Sequence, residues 1–171
     1  LTGRTAVPGF IESHNHFLFL AADLYGVDCS PGTAKSIEQV IGRLRDRAAE
    51  TKPGSWIEGW GFDDLRIAEG RHLTSADLDR VSGKHPVCVF HNSRHFVTLN
   101  SAGLLAAGIS AATPQPPGGY IGKDNEGNPN GMLAENSAIQ HLRNVLPPRN
   151  AEELASGLIL AGKAALEQGI T

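Results

Sequence analysis

Apolar and polar positions along the chain follow two different periods, which predicts a mixed α/β fold. Apolar residues recur at helical spacing after Ser36 and again after Asn150. Each of these capping residues is followed three positions later by Gln39 or Glu153, a spacing typical of helix N-termini. Gly169 marks the end of the second helix. We therefore expect two well-defined amphipathic helices.

Shorter apolar runs bounded by turn residues predict strands and smaller helices between these landmarks. The predicted strands cover residues 7–11, 27–29, 87–90, 120–122 and 131–135, and residues 55–64 predict a strand running into a loop. The predicted short helices cover residues 17–25, 74–80 and 104–107, the last capped by Asn100 or Ser101. Residues 124–127 predict the turn of a hairpin between the last two strands.

The amino-acid composition is typical of a globular protein and argues against nucleic-acid-binding and membrane-spanning classes. Hydrophobic residues make up 40% of the chain and charged residues 19%, as in an ordinary globular protein. The net charge of −3 and the pI of about 6.2 argue against nucleic-acid or anionic-membrane partners. The longest apolar run, residues 17–22, is too short to span a membrane. Cys29 and Cys88 lack the spacing of a disulfide framework or zinc ribbon, which favours a reducing, cytoplasmic setting.

The two ends of the sequence resemble interrupted elements. Met132 is the only methionine, so the chain does not begin at a translational start. Residues 1–6 are typical of the tail of a flanking β-strand region, and residues 169–171 of a strand that has just begun. The sequence therefore predicts a fragment of a longer protein.

Two histidines follow the first predicted strand at a spacing of two residues. On a strand, His14 and His16 would project from one face while Asn15 points away. Two imidazoles on one face form half of a metal site. The spacing alone is also compatible with two hydrogen-bonded histidines at a strand end, and both interpretations stay open on the residues themselves.

The wider segment resembles a known family. Residues 7–16 are similar to the first barrel strand of the metal-dependent amidohydrolase superfamily, whose pattern is Pro-Gly-Phe-(Ile/Val)-Asp-x-His-x-His. Glu12 stands where that family has Asp, at a position that is not a metal ligand. The segment from His95 to Ser101, residues 116–119 and residues 130–135 resemble the family-3-like branch that contains N-substituted formamide deformylase. Arg94 replaces the Gly that usually precedes the His of that branch.

This resemblance implies a fold. We expect the opening part of a (β/α)8 TIM barrel with a long α+β insertion after the first strand. In this interpretation residues 1–6 end a flanking strand region, and residues 7–25 form the first barrel strand and the start of the barrel. Residues 26–149 form the insertion, and residues 150–171 form a barrel helix leading into the next strand.

The resemblance also implies an activity, that of a metal-dependent hydrolase cleaving C–N bonds of non-peptide amides through a metal-activated water. His14 and His16 would bind a divalent metal, zinc in one or two ions, and His95 would bind substrate. The general-base Asp and the other ligands would lie beyond Thr171, so the chain alone is expected to be inactive. Its expected partners are a small amide-type substrate and the remainder of its own barrel, and homo-oligomerisation is left open. The alternative is a non-catalytic fragment or degenerate homologue acting as a binding or structural module.

Several other polar residues have a structural and a functional interpretation. His91 and His95 are four residues apart but lack the Glu that follows the first His in zincins. Asp63 and Trp60 could line a pocket or belong to the core, and Glu135 could form a salt bridge or place charge at a helix start. The remaining histidines are expected at the surface or at caps: His72, His85 and His141.

Overall fold

A computed structural model describes residues 2–171, and most of its elements follow the predicted segments. The helices are α1 (Phe17–Asp23), α2 (Ile37–Glu50), α3 (Ser75–Asp79), α4 (Ser101–Ala106), α5 (Glu135–Arg143) and α6 (Ala151–Glu167). The strands are β1 (Val27–Asp28), β2 (Ile57–Phe62), β3 (Val87–His91), β4 (Phe96–Leu99), β5 (Tyr120–Lys123) and β6 (Pro129–Ala134). The chain divides into two units, one made of residues 2–25 with Pro148–Thr171 and the other of Gly26–Pro147.

The predicted helix starts are confirmed by their capping hydrogen bonds. The Ser36 hydroxyl accepts a hydrogen bond from the backbone N–H of Gln39, which begins α2. Asn150 and Glu153 form a reciprocal capping box at the start of α6. Capping residues satisfy backbone N–H groups that have no partner inside the helix, so a local sequence signal is enough to place these starts.

The unit Gly26–Pro147 is built on one six-stranded sheet with the order β1-β2-β3-β4-β6-β5. β1, β2 and β3 run parallel, whereas β4, β5 and β6 pair antiparallel with their neighbours. The predicted hairpin of β5 and β6 is confirmed, with the Asp124 backbone N–H donating to the Asn128 carbonyl at 2.8 Å. The sheet is therefore mixed, with parallel strands on one side only.

The sheet separates two hydrophobic clusters. Alternate residues of β3 belong to different clusters, with Val87 and Val89 in one and Cys88 in the other. Because successive side chains of a strand point to opposite faces, the clusters lie on the two faces of the sheet. The Cys29 and Cys88 side chains are buried, and burial raises the pKa of the Cys29 thiol to about 12.

Two elements of this unit were not predicted, β4 and α5. A tight turn connects β3 to β4, and its Arg94 has a φ of +67° where glycine is the usual residue. α5 begins at Glu135 with a φ of +65° and with no side-chain cap on its first turn. The residue types at positions 94 and 135 therefore do not by themselves predict this conformation.

The smaller unit contains α1, α6 and one β-bridge. The Tyr25 hydroxyl donates to the Glu153 carbonyl at 2.7 Å, and a Cβ at Gly157 would lie 2.5 Å from the Ala21 carbonyl oxygen. The close approach of α1 and α6 therefore requires glycine at position 157.

A parallel bridge joins Phe10 to Ile170, with α6 between these residues in sequence. The parallel direction of this bridge is the one that a β-α-β unit requires, but the predicted regular strand over residues 7–11 is wrong for this chain. Val7 and Ile11 are 65% and 87% exposed. Within residues 2–171 only Phe10 of that segment has a strand partner, and one bridge does not hold a strand flat or bury its faces.

No helix among residues 2–171 combines the length and the apolar character needed to cross a bilayer. Even α6, the longest helix, has 17 residues.

Candidate functional site

His14 and His16 lie next to each other just before α1. Their ring centroids are 5.4 Å apart and the ring planes are nearly perpendicular, at 85°. The chain bends at Ser13 and His14, and the His14 backbone N–H donates to the Glu12 carboxylate at 2.9 Å. A bend, and not strand alternation, therefore brings the two rings together in this chain.

Asn15, which lies between the two histidines, hydrogen-bonds to the backbone at the start of α1. Its side-chain oxygen accepts a hydrogen bond from the Phe17 backbone N–H at 3.1 Å, which stabilises the start of α1. Both imidazoles are exposed. The donor chemistry fits a divalent metal, because imidazole is a preferred ligand of zinc and similar ions. A catalytic zinc needs about three protein ligands, so these two residues fit as part of a site.

His95, the predicted substrate-binding residue, lies between β3 and β4 and is paired with Glu135. The Nδ1 atom of His95 lies 3.0 and 3.1 Å from the two carboxylate oxygens of Glu135. The Glu135 backbone N–H also donates to the His95 carbonyl at 2.8 Å. The register of β4 and β6 places Phe96 opposite Ala134 and so makes their neighbours adjacent. Both structural interpretations of Glu135 are correct, since it pairs with His95 and begins α5.

This His95–Glu135 pair is held by a strained backbone. Both Arg94 and Glu135 occupy the left-handed region, which costs a non-glycine residue about 1–2 kcal/mol. The paired side chains are 62% and 49% exposed, and a hydrogen bond with that exposure contributes about 1 kcal/mol. The left-handed backbone conformation therefore costs more free energy than the contact between His95 and Glu135 contributes.

A second group of polar residues collects where the parallel strands β2 and β3 end. One donor atom each from Asp63, Asp64 and His91 lies within 4.8 Å of the others, close enough to hold a metal ion. His72 approaches the same place, with its Nδ1 atom 3.6 Å from a carboxylate oxygen of Asp64. Parallel strands place their carboxyl ends at one edge of the sheet, which explains why residues distant in sequence meet here.

The hydrogen bonds in this group favour a structural role. The Ser93 backbone N–H donates to Nδ1 of His91 at 3.1 Å, so the imidazole proton lies on Nε2. Nε2 then donates to Asp64 at 3.0 Å. Asp63 accepts from Leu65 at 3.1 Å and from the Asn92 amide at 2.9 Å. A metal ion would have to displace the Nε2 proton of His91, whereas the hydrogen-bonded network is complete without one.

The expectation of a surface position is wrong for one remaining histidine. His85 is 3% exposed, with Nδ1 2.8 Å from the Ser82 hydroxyl and Nε2 3.3 Å from the Thr51 carbonyl. Its burial depends on contacts with a residue more than thirty positions earlier in the chain, which no local pattern signals. Both ring nitrogens are engaged, so His85 links two loops and is not available as a ligand.

The comparisons with known proteins agree on one family. The sequence profile of the amidohydrolase family matches residues 1–171. N-substituted formamide deformylase of Arthrobacter pascens is 37% identical over 138 residues, which is 81% of this chain and 26% of that protein. YtcJ of Bacillus subtilis (strain 168) is 33% identical over 171 residues, which is all of this chain and 32% of that protein. This chain thus spans about a third or less of the length of these curated relatives.

A solved structure gives the same result for the fold. The crystal structure of an uncharacterized metal-dependent hydrolase from Pyrococcus horikoshii OT3 is similar, with a TM-score of 0.58 and 25% sequence identity. The similarity covers 96% of this chain and 30% of that one. The mixed α/β arrangement described above is therefore shared with a metal-dependent hydrolase.

Proposed function

Because this chain belongs to the amidohydrolase family, we propose that it is the N-terminal part of a metal-dependent hydrolase that cleaves C–N bonds of non-peptide amides with an activated water. The observation that carries this proposal is the adjacency of His14 and His16, whose rings are 5.4 Å apart within a segment of the family. The activity itself belongs to the longer protein, since the relatives extend well beyond the matched region.

We propose that the longer protein is a TIM barrel and that this chain opens it. The parallel bridge between Phe10 and Ile170, with α6 as the intervening helix, supports a first β-α-β unit. In this arrangement residues 26–149 are the insertion that follows the first barrel strand. The exposed apolar residues of the smaller unit support this proposal, because further barrel strands would cover them: Val7, Phe10, Ile11, Leu18 and Phe19.

His14 and His16 would hold the divalent metal, and zinc is the proposed ion because imidazole is one of its usual ligands. When bound, such an ion polarises the amide carbonyl and activates the attacking water. The role of His14 and His16 is to fix the position of the ion at the end of the first strand segment. The remaining ligands and the general base would come from residues beyond Thr171.

His95 is proposed as a substrate-binding residue. Its imidazole is 62% exposed and is oriented by Glu135, so it is available to a ligand. The substrate would be a small amide, a class consistent with the name of the Arthrobacter pascens relative. The buried cysteines Cys29 and Cys88, which lack the spacing of a disulfide framework, suit a reducing cytoplasm. The non-catalytic alternative is not favoured, because the amidohydrolase profile covers residues 1–171.

Metal analysis of the complete hydrolase tests the proposed site. We expect the wild type to bind divalent metal and His14→Ala and His16→Ala to lose the ion at this site together with nearly all amide hydrolysis. Asn15→Ser is the matched control, because serine can still accept the hydrogen bond from the Phe17 backbone N–H while the position is proposed to contribute no ligand. This control should retain metal and activity.

The 171-residue chain provides a second comparison. With two of the required ligands, it should bind zinc weakly, and both histidine variants should weaken this binding further. If the complete hydrolase with His14→Ala kept stoichiometric metal and unchanged amide hydrolysis, the assignment of His14 as a metal ligand would be contradicted.

A further inference from the structure

We propose that Glu135 is a positioning residue that keeps the proton of His95 on Nδ1, so that Nε2 accepts a hydrogen bond from the N–H of the amide substrate. This inference rests on the proposed hydrolase function and adds to it a residue role and a substrate class. Its basis is the His95–Glu135 pair and the backbone on which that pair is mounted.

The tautomer follows from the partner of Nδ1. An ionised carboxylate can only accept hydrogen bonds, and both Glu135 oxygens lie 3.0–3.1 Å from Nδ1 of His95. Nδ1 must therefore carry the proton, and in neutral imidazole this leaves a lone pair on Nε2. Within residues 2–171, no hydrogen-bond partner lies at Nε2. The atom is thus prepared to accept a hydrogen bond from a ligand.

The backbone argues that this pair is more than a surface contact. Arg94 and Glu135 flank the interaction from two different elements, and both hold a φ near +65°. Glycine or asparagine would occupy these positions without the same strain, so the stability of the fold does not explain glutamate at position 135. Strain that is retained for an exposed side-chain pair is typical of functional sites. Glutamate at position 135 provides a carboxylate that accepts a hydrogen bond from His95, and neither glycine nor asparagine has this group.

The chemistry of Nε2 selects a class of ligand. A lone pair on nitrogen binds a donor, and the donor of an amide substrate is its N–H. A secondary amide has this group, whereas a tertiary amide has replaced the hydrogen with carbon. We therefore expect the enzyme to prefer secondary over tertiary amides, and we expect this preference to depend on Glu135.

The tautomer can be measured without substrate by NMR on the 15N-labelled 171-residue chain at a pH where His95 is neutral. We expect the His95 Nδ1 to be protonated in the wild type and the proton to move largely to Nε2 in Glu135→Gly. Arg94→Gly is the matched control, since it also introduces glycine at a left-handed position but leaves the carboxylate in place. The control should keep the proton on Nδ1. A wild-type proton on Nε2, or the same tautomer in all three proteins, would overturn the proposal.

The substrate class is tested on the complete hydrolase with a secondary formamide and its N-methylated tertiary counterpart. We expect the ratio of the two kcat/KM values to fall about tenfold in Glu135→Gly and to stay unchanged in Arg94→Gly. Equal ratios in all three proteins would overturn the role of Nε2 in substrate selection. If the wild type hydrolysed neither amide while the NMR result held, the hydrolase proposal would fail and the positioning of His95 by Glu135 would stand.

Discussion

Replacing Asn100 with alanine should be among the most damaging single changes in the unit Gly26–Pro147. Asn100 is 1% exposed, and its side chain makes three hydrogen bonds. Its oxygen accepts from the backbone N–H groups of Val87 at 2.9 Å and Gly103 at 2.8 Å. Its amide donates to the His85 carbonyl at 3.0 Å. One side chain therefore caps α4 and fixes that helix to the start of β3.

The cost of Asn100→Ala follows from these bonds. The variant leaves two N–H groups and one carbonyl without their partner, and each unsatisfied buried group costs about 1–3 kcal/mol. Because a water molecule can enter the space left by the side chain and satisfy part of this demand, we expect a total loss of about 3–5 kcal/mol.

Urea unfolding followed by tryptophan fluorescence measures this loss. Both tryptophans, Trp56 and Trp60, belong to the same unit as Asn100, so the signal reports on that unit. With an m value of about 2 kcal/mol/M, the unfolding midpoint should fall by about 2 M urea. The neighbouring Ser101→Ala is the control, because it removes only an exposed hydrogen bond to Asp79 of 2.7 Å and should cost about 1 kcal/mol or less.

A midpoint for Asn100→Ala no lower than that of Ser101→Ala would refute this reasoning. It would mean that the three hydrogen bonds do not hold α4 against β3.

Further predictions concern helix packing and pH. Gly157→Ala should destabilise the smaller unit by about 1–3 kcal/mol, because its Cβ would lie 2.5 Å from the Ala21 carbonyl oxygen. Gly162→Ala, whose Cβ would have no neighbour closer than 3.9 Å, should gain up to about 1 kcal/mol of helix propensity. Hydrogen exchange of α6 should be faster in the first variant and slower in the second, and equal exchange rates would contradict the close approach. Arg71 donates two hydrogen bonds to Asp77 and lowers its pKa from 3.8 to about 2. Since the folded pKa is the lower one, this stabilisation is fully present above pH 4 and is lost as the pH falls toward 2. Asp77→Asn should therefore cost about 1–2 kcal/mol at pH 7. When unfolding is measured at decreasing pH, the free energies of unfolding of the wild type and Asp77→Asn should become equal near pH 2. A difference that stays constant with pH would contradict this prediction.

The sequence alone determined the features that depend on neighbouring residues. Helices α2 and α6 were predicted because Ser36 and Asn150 cap backbone groups only three residues away. The hairpin of β5 and β6 was predicted because its turn residues are local. The family resemblance likewise came from short runs of residues, which is why the sequence alone places His14 and His16 in a segment similar to that of the amidohydrolase family.

Tertiary structure decided the features that join distant parts of the chain. The turn before β4 and the start of α5 use Arg94 and Glu135 in a conformation that neither residue prefers by itself, so the two residue types do not predict it. Their geometry is imposed by the register of β4 against β6. That register also brings His95 to a carboxylate forty residues away. Local propensity can place a cap or a turn, but the side chain that faces an imidazole is set only when the strands pair.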